Sequence, residues 1–169
     1  MLYRLIMMRH AKSDWTTDAA SDHDRPLNER GKRDAPRIAT KLAELDWIPD
    51  HVVCSDARRT RETWARMVNA WPLERVENTV VDYEQKLYLA GLEDLVSVVG
   101  SLTDNPHCLL ALGHNPGWEE ITSWFCGNPQ HMTTANAALL EIEAPTWRAA
   151  ITTQGAWQLV HLLRPKELS

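Results

Sequence analysis

The sequence predicts an α/β layered fold with a mostly parallel sheet, in one domain spanning residues 1–169. Three observations lead there. Strand-length apolar runs alternate with segments of helical period. Two of the runs, residues 2–8 and 108–112, are close to continuous, as in strands covered on both faces. Short connections in the last third suit some antiparallel pairing. No repeat, low-complexity tract or linker composition divides the 169 residues, a length that fits one core.

Residues 2–8 form a strand that stops at Arg9 and His10. Residues 11–30 are polar, with Asp22-His23-Asp24-Arg25-Pro26 in the middle, a loop too long for a plain connector. Asn28 caps a helix running to about Leu45, with Ala35, Ile38, Ala39, Leu42 and Leu45 at helical spacing. Pro36 requires that this helix start later, near Asp34, or bend. Residues 47–50 are a turn, and residues 51–54 a second strand ending at Ser55. A second helix carries the stripe Ala57, Thr60, Trp64, Met67, Val68 and Trp71, and Pro72 stops it. Val80-Val81 is a short edge strand, and residues 82–91 are irregular. A third helix covers about 92–102, with Leu92, Leu95, Val96 and Val99 inward. The strand at 108–112 ends at Gly113-His114-Asn115-Pro116-Gly117. There an Asn cap and Pro at the first helical position open a fourth helix. Residues 137–143, 147–153 and 157–163 read as strands.

Composition narrows the function. The net charge of -5 argues against a general nucleic-acid binder. Arg9, Lys12, Arg25, Arg58, Arg59 and Arg61 nevertheless flank the predicted strand ends, which suits a basic pocket in an acidic protein. Cys54, Cys108 and Cys126 are odd in number and form no CxxC pair, consistent with reduced thiols. No apolar stretch has the length of a membrane span, and the N-terminus lacks signal-peptide architecture. The expected location is cytoplasmic, with no membrane or nucleic-acid partner.

Ligands of open α/β sheets sit outside the carboxyl ends of the strands. Three chemically loaded segments fall at such ends: Arg9-His10, Ser55 to Arg59, and Gly113-His114. Imidazole is a nucleophile near neutral pH, with an ordinary pKa of about 6.5. Facing a phosphoryl group, it can form a phospho-imidazole intermediate. The charge on the transferring group calls for cationic donors, and arginine offers paired bonds to phosphate oxygens. His10 is therefore the candidate nucleophile, Arg9 and Arg59 the clamp, and His114 a second donor. Taken singly, these residues have plainer readings. His114 suits a satisfied histidine beside a helix cap, residues 58–61 a solvated helix face, and Tyr88 a core aromatic. Asp22-His23-Asp24 lacks the scaffold of a metal site and reads as shaping a polar loop. No metal or cofactor is expected.

The ordered set goes further than its parts. It comprises Met8-Arg9-His10-Ala11-Lys12-Ser13, Arg25-Pro26-Leu27-Asn28-Glu29-Arg30-Gly31, the run from Ser55 to Thr63, Leu87-Tyr88-Leu89-Ala90, and Gly113-His114-Asn115-Pro116-Gly117. Together these resemble the histidine phosphatase superfamily, most of all its small SixA-type branch of phosphohistidine phosphatases. The resemblance implies a three-layer α/β/α sandwich, phosphoglycerate mutase-like, and a metal-independent phosphohydrolase. It places the phospho-accepting histidine on His10, its neighbouring arginine on Arg9, the arginine of the second motif on Arg59 and the second histidine on His114. Lys12, Ser13, Arg25, Glu84 and Tyr88 complete the candidate substrate-binding set.

Three positions depart from the pattern. Ala11 replaces the usual glycine after the first histidine. Asp56 follows Ser55 where proline is common, putting a carboxylate near Arg59. Larger members carry an acid that protonates the leaving group; the position before Leu87-Tyr88 is Lys86, with Glu84 nearby. An alkoxide leaves poorly without such an acid, whereas a phosphoramidate nitrogen is protonated more easily. The preferred reading is a phosphatase for phosphohistidine on a protein, such as a phosphorelay component. One alternative is a phosphatase for small phosphoesters with Glu84 or Asp82 as acid. Another is a catalytically weak regulatory module, motivated by Asp56 and Ala11, that binds phosphate- or sulfate-type anions.

Overall fold

A computed structural model describes residues 1–168. Along β1 (Leu2–Arg9), Leu5 and Met7 point into one core and Ile6 and Met8 into another, all four fully buried. Side chains alternate across a strand, so a run without polar interruption needs a cover on each face. Each such side chain contributes about 1.5–3 kcal/mol by leaving water.

The other strands are β2 (His51–Ser55), β3 (Val80–Glu84), β4 (Cys108–Gly113), β5 (Ala137–Glu143) and β6 (Gln158–Leu163). They form one sheet in the order β3-β2-β4-β1-β5-β6. The pairs β3/β2, β2/β4 and β4/β1 are parallel, and β1/β5 and β5/β6 antiparallel. The helices are α1 (Glu29–Glu44), α2 (Arg58–Val68), α3 (Leu73–Val76), α4 (Leu92–Gly100), α5 (Gly117–Cys126) and α6 (Trp147–Ile151). On one face pack Ile38 and Leu42 of α1 with Trp64 and Met67 of α2. On the other pack Leu95 of α4, Trp118 and Phe125 of α5, and Trp147 of α6. This is the expected layered α/β arrangement. No helix among the described residues is long and apolar enough to cross a membrane.

Several elements differ from the sequence reading. Residues 147–151 are helical, not extended: the Thr146 side chain accepts from Ala149 N, and Trp147, Ala150 and Ile151 bury one face at helical spacing. β3 continues through Asp82 to Glu84 because its pairing with β2 runs on to Ser55. α1 is unbroken from Glu29. Pro36 sits inside it, leaving only the Lys32 carbonyl without its helical donor, at a half-buried position. α2 ends at Val68, before Trp71. That indole turns back to donate to Ala39 O at 2.7 Å. α5 starts at Gly117, and Asn115 Oδ1 accepts from Glu119 N at 3.2 Å.

Register aligns the chemically loaded ends. Arg9 lies opposite Gly113, Cys54 opposite Leu112, and His10 N donates to Gly113 O at 3.0 Å. The residues following β1, β2 and β4 therefore emerge together. Two glycines hold loops against this edge. A Cβ on Gly31 would fall 2.2 Å from Lys12 O, and one on Gly117 1.9 Å from Ala90 O. Only glycine lets α1 and α5 approach the backbone of those loops so closely.

Candidate active site

His10 follows β1 and is 6% exposed. Its ring Nδ1 lies 2.6 Å from Ala11 O. A carbonyl only accepts, so Nδ1 carries the hydrogen and the neutral ring keeps its lone pair on Nε2. Ala11 is itself fixed by its N–H, which donates to Thr63 Oγ1 of α2 at 3.0 Å. Burial pushes the His10 pKa down to about 3, joined by the charges of Arg59, Arg9 and Arg25 and opposed by the Ala11 bond. The imidazole is thus neutral at pH 7.

His114 follows β4. Its Nε2 pairs with Ser55 Oγ at 2.8 Å, and its Nδ1 is buried without a partner. Burial, then His10 and Arg59, lower its pKa to about 2. The two histidine rings are 5.2 Å apart between centroids.

A cavity of about 380 Å³ opens at this point. Arg9, His10, Lys12, Ser13, Arg25, Arg59 and His114 line it, with Trp15, Asp22, Leu89, Asn115 and Thr134. The lining carries four cations (Arg9, Lys12, Arg25, Arg59) and one carboxylate (Asp22). With neutral histidines the local balance is +3, inside a chain of net charge -5. Such a field favours a small anion. Arg9 Nη1 donates to Met132 O at 3.1 Å, which aims the guanidinium. Arg25 Nη1 donates to Ser13 Oγ at 2.6 Å.

The structure therefore brings together all four candidate catalytic residues with Lys12, Ser13 and Arg25. Tyr88 stands edge-on to His114, 5.4 Å between centroids, and reaches the cavity through its hydroxyl bond to Asp22. Glu84 is different. It ends β3 in register with Ser55 and is absent from the cavity lining. Asp82 is engaged with His51 Nε2 at 2.7 Å, at the opposite end of β2. Lys86 Nζ donates to Ser97 Oγ, on α4.

Asp22 is the residue that sequence reasoning passed over. It sits on a 3-10 turn, Asp22–Asp24, inside the long polar loop. Its carboxylate accepts from Tyr88 Oη, from Arg25 Nε at 3.0 Å and from Arg59 Nη2 at 3.1 Å. The Tyr88 bond and then the two guanidinium groups hold its pKa at about 2, against the opposing effect of burial. Asp22 O also accepts from Arg59 Nη1 at 2.8 Å. The Asp56 carboxylate makes no hydrogen bond or ion pair with Arg59, whose guanidinium goes to Asp22. It pairs with His23 Nε2 at 2.8 Å and so anchors the turn that carries Asp22. The one sequence signal for Asp22 is its place three residues before Arg25 in a tight polar turn.

Comparison with known proteins at the family level covers Arg9, His10 and Arg59 of this site. Residues 5–79 match the family model described as histidine phosphatase superfamily (branch 1). An uncharacterized chloroplastic protein of Arabidopsis thaliana is 35% identical over 96% of this chain and 78% of its own length. A crystal structure from Agrobacterium tumefaciens, provisionally described as the phosphohistidine phosphatase SixA, superposes with a TM-score of 0.78. It has 26% identity and covers 96% of this chain and 98% of that one. A protein histidine phosphatase SixA complexed with tungstate shares the fold at a TM-score of 0.73 and 19% identity, over 96% of this chain and 97% of its own.

Proposed function

The chain belongs to the histidine phosphatase superfamily, branch 1, and on that premise we propose that it hydrolyses phosphohistidine on a protein through a phospho-enzyme on His10. One observation carries the reading. The Ala11 carbonyl fixes the imidazole with Nε2 as its free nitrogen, in a cavity whose lining offers four cations and no carboxyl group able to hold a proton.

In this scheme a phosphoryl group binds against Arg9, Arg59 and Arg25. The Nε2 lone pair of His10 attacks phosphorus as the bond to the leaving nitrogen breaks. The substrate imidazole arrives protonated on its other ring nitrogen and departs neutral, so no protein acid is required. The phosphorylated His10 ring then carries a positive charge, with its Nδ1–H still bonded to Ala11 O, and neutral imidazole is its leaving group. Water attacks phosphorus as the Nε2–P bond breaks, inorganic phosphate departs with both water protons as dihydrogen phosphate, and Nε2 regains its lone pair. The guanidinium groups balance the charge on the equatorial oxygens at each step. Nδ1 of His114 supplies a further donor when Ser55 Oγ–H bonds its Nε2. The tungstate-bound SixA relative agrees with a tetrahedral oxyanion as the bound group.

Asp22 argues against the ester reading. It is the only carboxylate among the lining residues, and three donors keep it ionised. An alkoxide leaving group would find no proton there. The experiment is phosphate release from a phosphohistidine protein beside a panel of sugar and aryl phosphates, with His10→Ala as control. The reading expects rapid release from phosphohistidine, little from sugar phosphates, and none from the variant. Equal release by wild type and variant would sink it.

A further inference from the structure

Among the described residues seven large apolar side chains are exposed, and two of them, Trp15 (71%) and Leu89 (59%), line the phosphoryl cavity. Neither is held there by core packing. Trp15 lays one face on the Arg25 guanidinium, 3.5 Å from its ring centroid, and Arg25 is itself tied to Ser13 and Asp22. Its remaining surface is open, and it also borders an adjoining hollow of about 690 Å³ that shares Lys12 and Ser13. Leu89 has φ of 52°, in the left-handed region that disfavours a branched side chain. Backbone strain at an exposed leucine is explained neither by its own preference nor by burial, and such strain concentrates where a ligand is met.

The two observations are independent and meet at one rim. We infer that Trp15 and Leu89 form an apolar seat for the leaving group, selecting a planar aromatic ring bonded to phosphorus over a small or aliphatic one. The inference rests on reading the cavity as a phosphoryl-transfer site. The charged floor holds the phosphoryl oxygens, which every substrate shares. The rim touches only what is attached to phosphorus, so it sets the preference among substrates. Stacking on Trp15 and contact with Leu89 suit an imidazole or phenyl ring, and the adjoining hollow has room for the chain that bears it.

The test compares kcat/KM for N-phosphoimidazole and for phosphoramidate, which share a P–N bond and differ in the ring. Effects of a substitution on the phosphoryl floor cancel in the ratio. Trp15→Ala should lower the ring-to-amide ratio about three- to tenfold. Leu89→Ala should lower it about two- to fivefold, and Trp15→Phe should keep it within about twofold. A ratio unchanged in both alanine variants overturns the inference. If wild type releases phosphate from neither compound, release from a phosphohistidine protein decides whether the phosphatase reading has failed. Calorimetric binding of phenylphosphonate against methylphosphonate then decides the seat: a phenyl preference lost in Trp15→Ala supports it, and equal affinity in wild type overturns it.

Discussion

Replacing Asp22 by Asn removes the only negative charge from the cavity lining while keeping the size of the side chain. Two effects of opposite sign follow. The carboxylate is held at a pKa of about 2 against an ordinary 3.8, chiefly by Tyr88 and then by Arg25 and Arg59. That lowering corresponds to roughly 2.4 kcal/mol. The Asp22 side chain is 45% exposed, and solvent screening reduces the contribution to about 1 kcal/mol. Because the folded value lies below the unfolded one, the stabilisation is present above about pH 4 and is lost as pH falls toward 2. The variant should melt about 2–4 °C lower at pH 7, with the gap closing in acid.

Anion affinity should move the other way. A unit charge about 6 Å from a bound anion, at an effective dielectric of about 20–80, opposes binding by roughly 0.7–2.8 kcal/mol. Phosphate should therefore bind Asp22→Asn about three- to hundredfold more tightly at low salt, with the gain shrinking as salt rises. Calorimetric titration of both proteins with inorganic phosphate measures this directly. Weaker or unchanged binding would refute the assignment of Asp22 as the group that tempers the field of Arg25 and Arg59.

Other perturbations test separate parts of the account. The His10 pKa of about 3 means that kcat/KM, corrected for ionisation of the substrate, should be flat from about pH 7 down to pH 5. An acid limb centred near 6.5 would show an ordinary, solvated imidazole. Gly117→Ala drives a Cβ to 1.9 Å from Ala90 O, so it should cost about 1–3 kcal/mol in urea unfolding and, by displacing Leu89, lower the ring-to-amide ratio of kcat/KM. Unchanged stability would show that α5 can withdraw freely. His51 places both ring nitrogens 2.7 Å from carboxylates of Asp104 and Asp82. Burial lowers its pKa, but the two carboxylates together carry it above the ordinary value. Its stabilisation is therefore complete below about pH 6.5 and is lost as pH rises through the folded value. Asp104→Asn should destabilise the chain more at pH 6 than at pH 9, and an equal loss at both would contradict the bridged imidazolium.

What could be read in advance followed from local pattern. The continuous apolar runs at 2–8 and 108–112 announced buried strands, and their abrupt ends at His10 and His114 announced one edge of a sheet. Asn28 before a helical stripe located α1, where the cap bond to Gly31 N is 2.9 Å. Errors arose where the pattern was short or the decisive partner distant. Residues 147–151 are too few for periodicity to separate a helix from a strand. β3 is an edge strand whose polar Asp82 and Glu84 hide its extension. Asp22 binds Arg59 and Tyr88, which lie 37 and 66 positions away, so its only local mark is Arg25 three residues on. Glu84 is only four positions from Tyr88, yet an intervening 3-10 turn separates it from the cavity. Proximity in sequence pointed to Glu84, whereas the carboxylate in the cavity lining is Asp22.

The central claim is that Nε2 of His10 takes the phosphoryl group. Rapid-quench labelling with a phosphohistidine protein, followed by mass spectrometry at alkaline pH, measures it most directly. A transient, acid-labile phosphoryl group should form on the peptide containing His10 before free phosphate appears, and it should be absent from His10→Ala. Phosphate release without any label on His10, or with the label on another residue, would contradict the claim.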